Sequence, residues 1–156
     1  TTFKEKGLDE LFQNALAAGV NAKAGETSSI AIGTDSSSTG IFSTAIGNTS
    51  NASGENALAI GRGSDSAGLG SVAIGSATQA THGSAVAVGS FANASEVSSI
   101  AVGEHAVASA YTAAAIGAKA NASSSGASAF GSGSKASGQY STLVPPLQLA
   151  VLAVSH

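Results

Sequence analysis

Residues 71–75 read Ser-Val-Ala-Ile-Gly, and closely similar segments occupy residues 29–33 and 99–103. The glycine that ends each segment belongs to a series of nine glycines spaced 14 residues apart, without an insertion or deletion between them. In all nine copies an alanine stands two positions before the glycine. This repeat decides the architecture before any other feature, because a chain built from equal short units stacks each unit on its neighbours.

The residues before each glycine predict a short β-strand, and the glycine predicts a turn. Val72 and Ile74 flank Ala73, and β-branched residues of this kind favour strands. Because successive side chains of a strand point to opposite faces, Val72 and Ile74 share one face and Ala73 lies on the other. Glycine can adopt the positive φ that turns the chain. The predicted structural turn residues are Gly33, Gly47, Gly61, Gly75, Gly89, Gly103, Gly117 and Gly131.

A second alternation of small residues follows each glycine and predicts a second strand. Ala92 and Ala94 stand on either side of Asn93, for example. Further glycines, such as Gly40 and Gly54, indicate a second turn. Each repeat thus predicts one coil of an all-β parallel β-solenoid with 14-residue coils. At a strand spacing of about 4.8 Å, roughly nine or ten coils make a rod of about 45 Å.

Both faces of the repeated strand carry apolar residues, which indicates that one face contacts other chains. A strand with two apolar faces needs cover on each side. We predict that one face fills the coil and that the alanine face packs against identical chains, since alanine permits close approach. The alternative is that alanine is simply tolerated at a crowded corner. The predicted interface residues are Ala31, Ala45, Ala59, Ala73, Ala87, Ala101 and Ala115.

Composition excludes several classes of protein. The chain has no Cys, so it has neither disulfides nor thiolate metal sites. Its six Lys and Arg residues and net charge of −3 argue against nucleic-acid binding. The longest apolar stretch, 149–154, is far shorter than the roughly 20 residues that cross a bilayer, so this segment is not expected to insert into a membrane.

The sequence predicts no catalytic, cofactor or metal site. His82 and His105 lie near predicted turns, and neither has a recurring carboxylate beside it, as a catalytic base requires. Glu96 and Glu104 have no recurring second carboxylate near them, as general acid and base catalysis by a pair of carboxylates would require. The glycines around Arg62 resemble a phosphate loop, but the full fingerprint and a following helix are missing. We therefore expect a protein that is not an enzyme.

The Ser-Val-Ala-Ile-Gly segment and its copies resemble the head repeats of trimeric autotransporter adhesins of the Yersinia adhesin (YadA) type, over about residues 16–144. The resemblance implies a left-handed β-roll, a homotrimer, and display at the bacterial cell surface above a Gram-negative outer membrane. It also implies attachment to host cells, autoagglutination, and binding to matrix proteins such as collagen, fibronectin or laminin. A purely structural trimeric fibre or spacer without its own ligand is the alternative. The residues that would bind a ligand are not indicated.

The ends of the chain depart from the repeat. Residues 1–15 are predicted to be a cap or connector, with a short amphipathic helix or turn over 8–17, and residues 16–144 are predicted to form the head. Residues 145–156 form a non-repeat tail, in which Pro145 takes the position of the next glycine. The membrane anchor of the resembled family would lie in C-terminal regions outside this sequence.

Overall fold

The computed structural model describes residues 14–145, which form 19 short strands and two parallel sheets. The first sheet, here the long-strand sheet, contains β1 (Leu16–Ala18), β3 (Ile30–Ile32), β5 (Thr44–Ile46), β7 (Leu58–Ile60), β9 (Val72–Ile74), β11 (Val86–Val88), β13 (Ile100–Val102), β15 (Ala114–Ile116), β17 (Ser128–Phe130) and β19 (Thr142–Leu143). The second, here the short-strand sheet, contains β2 (Lys23–Ala24), β4 (Ser37–Ser38), β6 (Asn51–Ala52), β8 (Asp65–Ser66), β10 (Gln79–Ala80), β12 (Asn93–Ala94), β14 (Val107–Ala108), β16 (Asn121–Ala122) and β18 (Lys135–Ala136).

The chain alternates between the two sheets, and each strand pairs with the equivalent strand of the next coil. Ala73 pairs with Ala87, and Ala87 pairs with Ala101, so the register equals the 14-residue sequence period. The predicted all-β parallel solenoid of 14-residue coils is therefore confirmed. The predicted helix over 8–17 is wrong at its end, because Leu16 and Ala17 belong to β1; its residues 8–13 lie outside the described part.

Two turns close each coil, and all but the first turn at Gly75 have a backbone hydrogen bond across them among the described residues. In the second coil the Ser36 N–H donates to the Gly33 carbonyl at 3.2 Å, and the Ser43 N–H donates to the Gly40 carbonyl at 3.1 Å. The third residue of each turn has a positive φ, as in a type II turn: 55° at Asp35, for example. The eight predicted turn glycines all have φ between 107° and 133°, which confirms the predicted positive φ.

The core consists of columns of small side chains that point into the coil. Among the described residues, the largest fully buried side chain is that of Thr78, and the others are serines and alanines. The buried hydroxyls have partners: the Ser64 Oγ donates to the Gly61 carbonyl at 2.9 Å, and the Oγ atoms of Ser66 and Ser71 lie 2.6 Å apart. Serine therefore fits this interior because the turn carbonyls satisfy it.

The alanine column lies inside the single chain, and its predicted role as the interface between chains is wrong. The side chains of Ala31, Ala45, Ala59, Ala73, Ala87, Ala101 and Ala115 are 0% exposed without any second chain. The narrow space between the two sheets holds methyl and hydroxymethyl groups, and the branched side chains must therefore point outward. The face that is free to contact another chain is the one with isoleucine and valine.

Candidate functional surfaces

The outer face of the long-strand sheet is a continuous apolar stripe. Its exposed or half-buried members alternate with the buried alanines, as Ile30 and Ile32 do around Ala31. The stripe comprises Leu16, Ile30, Ile32, Ile46, Leu58, Ile60, Val72, Ile74, Val86, Val88, Ile100, Val102, Ile116 and Phe130. With about 4.8 Å between coils, it runs for roughly 40 Å. An apolar surface of this extent is characteristic of an interaction site.

The outer face of the short-strand sheet carries polar side chains in an incomplete amide ladder. The Asn51 Nδ2 donates to the Asp65 Oδ1 of the next coil at 2.8 Å. Further along this column, the Oδ1 atoms of Asn93 and Asn121 are buried and have no hydrogen-bond partner among the described residues. Val107 stands between these two asparagines in the sheet and offers neither of them a donor or an acceptor.

Completing this ladder should stabilise the rod. We expect Val107→Asn to raise the free energy of unfolding by about 1 kcal/mol per chain, because the new amide can bond to Asn93 and Asn121. Chemical denaturation followed by circular dichroism measures the change. Val107→Thr is the control, since it keeps the branched shape without supplying an amide. A decrease in stability for Val107→Asn alone would contradict the expected ladder.

The edge formed by the first turn of each coil carries mixed charges and one aromatic stack. The rings of Phe91 and His105 lie parallel, with centroids 4.9 Å apart and planes at 4° to each other. The His105 Nε2 lies 3.8 Å from the Glu104 Oε1 of the same turn, and both side chains are exposed. Adjacent coils place these residues in register. The stack is exposed and forms no enclosed pocket.

The opposite edge, formed by the second turn of each coil, has a different character and is here called the acidic edge. The middle positions of its turns include Ile41, Glu55, Leu69, Val97 and Tyr111, all exposed. Adjacent positions add further apolar and acidic side chains, namely Phe42, Tyr140, Glu26 and Glu96. From Ile41 to Val97, large apolar side chains alternate in the middle position with Glu55 and Gly83, and Tyr111 follows Val97 on the next coil.

The described residues do not assemble a catalytic or metal-binding constellation. No group of three His, Asp or Glu side chains lies close enough within residues 14–145 to hold a metal ion. His82 is exposed on a second turn, with its Nδ1 3.1 Å from the Thr81 Oγ1, and His156 lies outside the described residues. Arg62 lies in an ordinary first turn between Gly61 and Gly63. Within the described range no helix has the length and apolarity needed to cross a bilayer.

These features define a rod built from repeated coils, a parallel β-solenoid with a long apolar outer face, a polar outer face and two turn edges. The family model of the YadA head domain repeat matches residues 13–36, 38–64, 66–92, 94–120 and 122–142. A comparison with curated proteins gave no match. Among solved structures, the collagen-binding domain of the Yersinia adhesin YadA is similar, with a TM-score of 0.79 and 29% sequence identity. The alignment covers 87% of this chain and 83% of that domain. The chain belongs to the YadA head family, and its fold is that of an adhesin head.

Sequence reasoning found the repeat but did not find the acidic edge. The 14-residue consensus averages over the turn positions, where side chains differ from coil to coil. A signal was present at twice that period, since Ile41, Leu69 and Val97 are spaced 28 residues apart.

Proposed function

We propose that this chain is the head of a bacterial surface adhesin that attaches to host cells and extracellular-matrix proteins of the collagen, fibronectin or laminin class. The observation that carries the proposal is the family membership, together with the similarity to a collagen-binding domain across most of both chains. Autoagglutination through contacts between heads belongs to the same proposal. The head is displayed outside the cell and anchored in the outer membrane through C-terminal regions beyond this sequence.

The functional unit of this proposal is a homotrimer. The apolar stripe exposes isoleucine, valine and leucine from β3 to β15 of the long-strand sheet, and Ile32, Ile100 and Ile116 are each more than one-third exposed in the single chain. Three copies that turn their stripes toward a common axis remove this surface from water. The gain is about 25 cal/mol for each Å² of apolar surface buried, and it supplements a core made mostly of alanine.

A solid-phase binding assay tests the proposal. We expect the purified head to bind immobilised collagen, fibronectin or laminin saturably, and not to bind immobilised albumin. A heat-unfolded sample of the same chain serves as the control for adhesion by exposed apolar segments. If the folded trimer binds none of the three matrix proteins, the adhesive function is wrong, and the chain is a structural spacer instead.

A further inference from the structure

We propose that the acidic edge is the docking ridge of this head for a polypeptide in the polyproline II conformation that carries Lys or Arg. This inference rests on the proposed binding of matrix proteins and names the surface and the ligand chemistry for it. The residues proposed to contact the ligand are Ile41, Leu69, Gly83 and Val97, with Glu55 and Glu96 beside them.

The spacing along the acidic edge is fixed by backbone hydrogen bonds. The Ser84 N–H donates to the Leu69 carbonyl at 2.8 Å, and the Ser98 N–H donates to the Gly83 carbonyl at 2.9 Å. Equivalent bonds join the other second turns, so each turn is held directly on the preceding one. The side chains at the middle of these turns therefore form a rigid column with a step of about 4.8 Å.

Large apolar side chains occupy every second step in the first part of this column. Ile41, Leu69 and Val97 lie two coils apart, which corresponds to about 9.6 Å. A polyproline II helix has three residues per turn and a rise of about 3.1 Å per residue. It therefore presents the same face at intervals of about 9.3 Å. An extended β-strand repeats its face at about 6.8 Å and does not match. The column can thus meet every third residue of a polyproline II segment.

Gly83 opens a notch between two of these apolar side chains. Leu69 is 61% exposed on one side of it, and Val97 is 39% exposed on the other. A Cβ built on Gly83 would have the Leu69 carbonyl oxygen, 3.9 Å away, as its neighbour, and one built on Gly70 would meet nothing within 4 Å. The notch therefore has room for a proline ring, whose restricted φ lowers the entropy lost on binding.

The charges of the acidic edge determine the second requirement on the ligand. Glu26, Glu55 and Glu96 lie on this edge, whereas its described turn residues include no Lys or Arg. The basic residues of the described part lie elsewhere: Lys23 and Lys135 on the short-strand sheet, Arg62 and Lys119 on the other edge. A ligand with Lys or Arg between its prolines is complementary to this distribution.

Binding of synthetic triple-helical peptides tests the proposal. The probes are a peptide of Gly-Pro-Pro and Gly-Pro-Lys triplets and an otherwise identical peptide with Gly-Pro-Glu triplets. We expect the lysine peptide to bind more tightly, with an affinity that falls as salt increases. Gly83→Leu fills the notch and Leu69→Ser removes one of its walls; each should weaken binding of the lysine peptide about tenfold.

Val20→Ser is the matched control, because Val20 is 69% exposed and lies on the opposite edge. This variant should bind the lysine peptide with the affinity of the wild type. Light scattering must show an unchanged mass for every variant. Dissociation of the assembly by Leu69→Ser would show that the acidic edge contacts a neighbouring chain, and it would overturn the inference. Unchanged peptide affinity in both edge variants would also overturn it, although wild-type binding to matrix proteins would leave the adhesive function standing. Absence of all matrix binding would remove the adhesive function itself.

Discussion

Replacing Ile100 by glutamate is expected to abolish assembly, leaving particles with the mass of one chain. Ile100 is 37% exposed and lies near the middle of the apolar stripe, between Val86 and Ala114 of the adjacent strands. In the proposed trimer the variant places three carboxylates in an apolar interface. Burial of each unpaired carboxylate costs on the order of several kcal/mol. This cost exceeds the stabilisation that the neighbouring apolar contacts provide. Light scattering coupled to size exclusion measures the mass.

Gln79→Glu is the control for the added charge, because Gln79 is exposed on the outer face of the short-strand sheet. This variant should keep the wild-type mass. If Ile100→Glu also keeps the mass of the wild-type assembly, the apolar stripe is not the interface. A wild-type chain that is itself a folded monomer would contradict the trimer directly.

Replacing Gly103 by alanine is expected to destabilise the rod by about 3 kcal/mol or more per chain. Two effects act together at this position. The φ of Gly103 is 130°, which residues with a Cβ rarely adopt, and a Cβ there would lie 2.6 Å from the carbonyl carbon and oxygen of Gly117. The next coil cannot move away without losing its backbone hydrogen bonds, such as that from the Gly117 N–H to the Val102 carbonyl at 2.7 Å. Chemical denaturation measures the loss.

Gly83→Ala is the control for the general effect of replacing a turn glycine by alanine. The φ of Gly83 lies outside the left-handed range, and its surroundings leave room for a Cβ. We expect the stability of this variant to lie within about 0.5 kcal/mol of the wild type. Equal stability of Gly103→Ala and Gly83→Ala would show that coil stacking does not require glycine at the first turn.

The sequence predicted the period, the strands and the turns, because each depends on a local pattern that recurs nine times. It did not reveal which face of Val72–Ile74 is inside. Alternation separates two faces, but the size of the cavity between the sheets decides which face it can hold. The serines and alanines of the second strand and the turns, such as Ser66 and Ser71, are also small and must meet the same interior. That shared size requirement places Ala73 inside.

The surfaces were predictable to a smaller extent. The apolar stripe follows from the repeat once its orientation is known. The acidic edge consists of turn positions, where the backbone requires a conformation and accepts many side chains: Ser84, Ser98 and Thr112 all have φ between 53° and 56° at the same turn position. Because the fold does not prescribe these residues, their pattern becomes visible only after the coils are aligned in space.

The direct stacking of one coil on the next makes the length of the head a variable that the fold itself does not limit. Each coil pairs with the next through the same contacts, as the equal registers of Ala59 with Ala73 and of Ala101 with Ala115 show. Duplication or loss of one 14-residue unit in the gene would therefore lengthen or shorten the head by about 4.8 Å and leave every remaining coil intact. The reach of such a protein from the cell can evolve in small equal steps, each of which preserves a folded head.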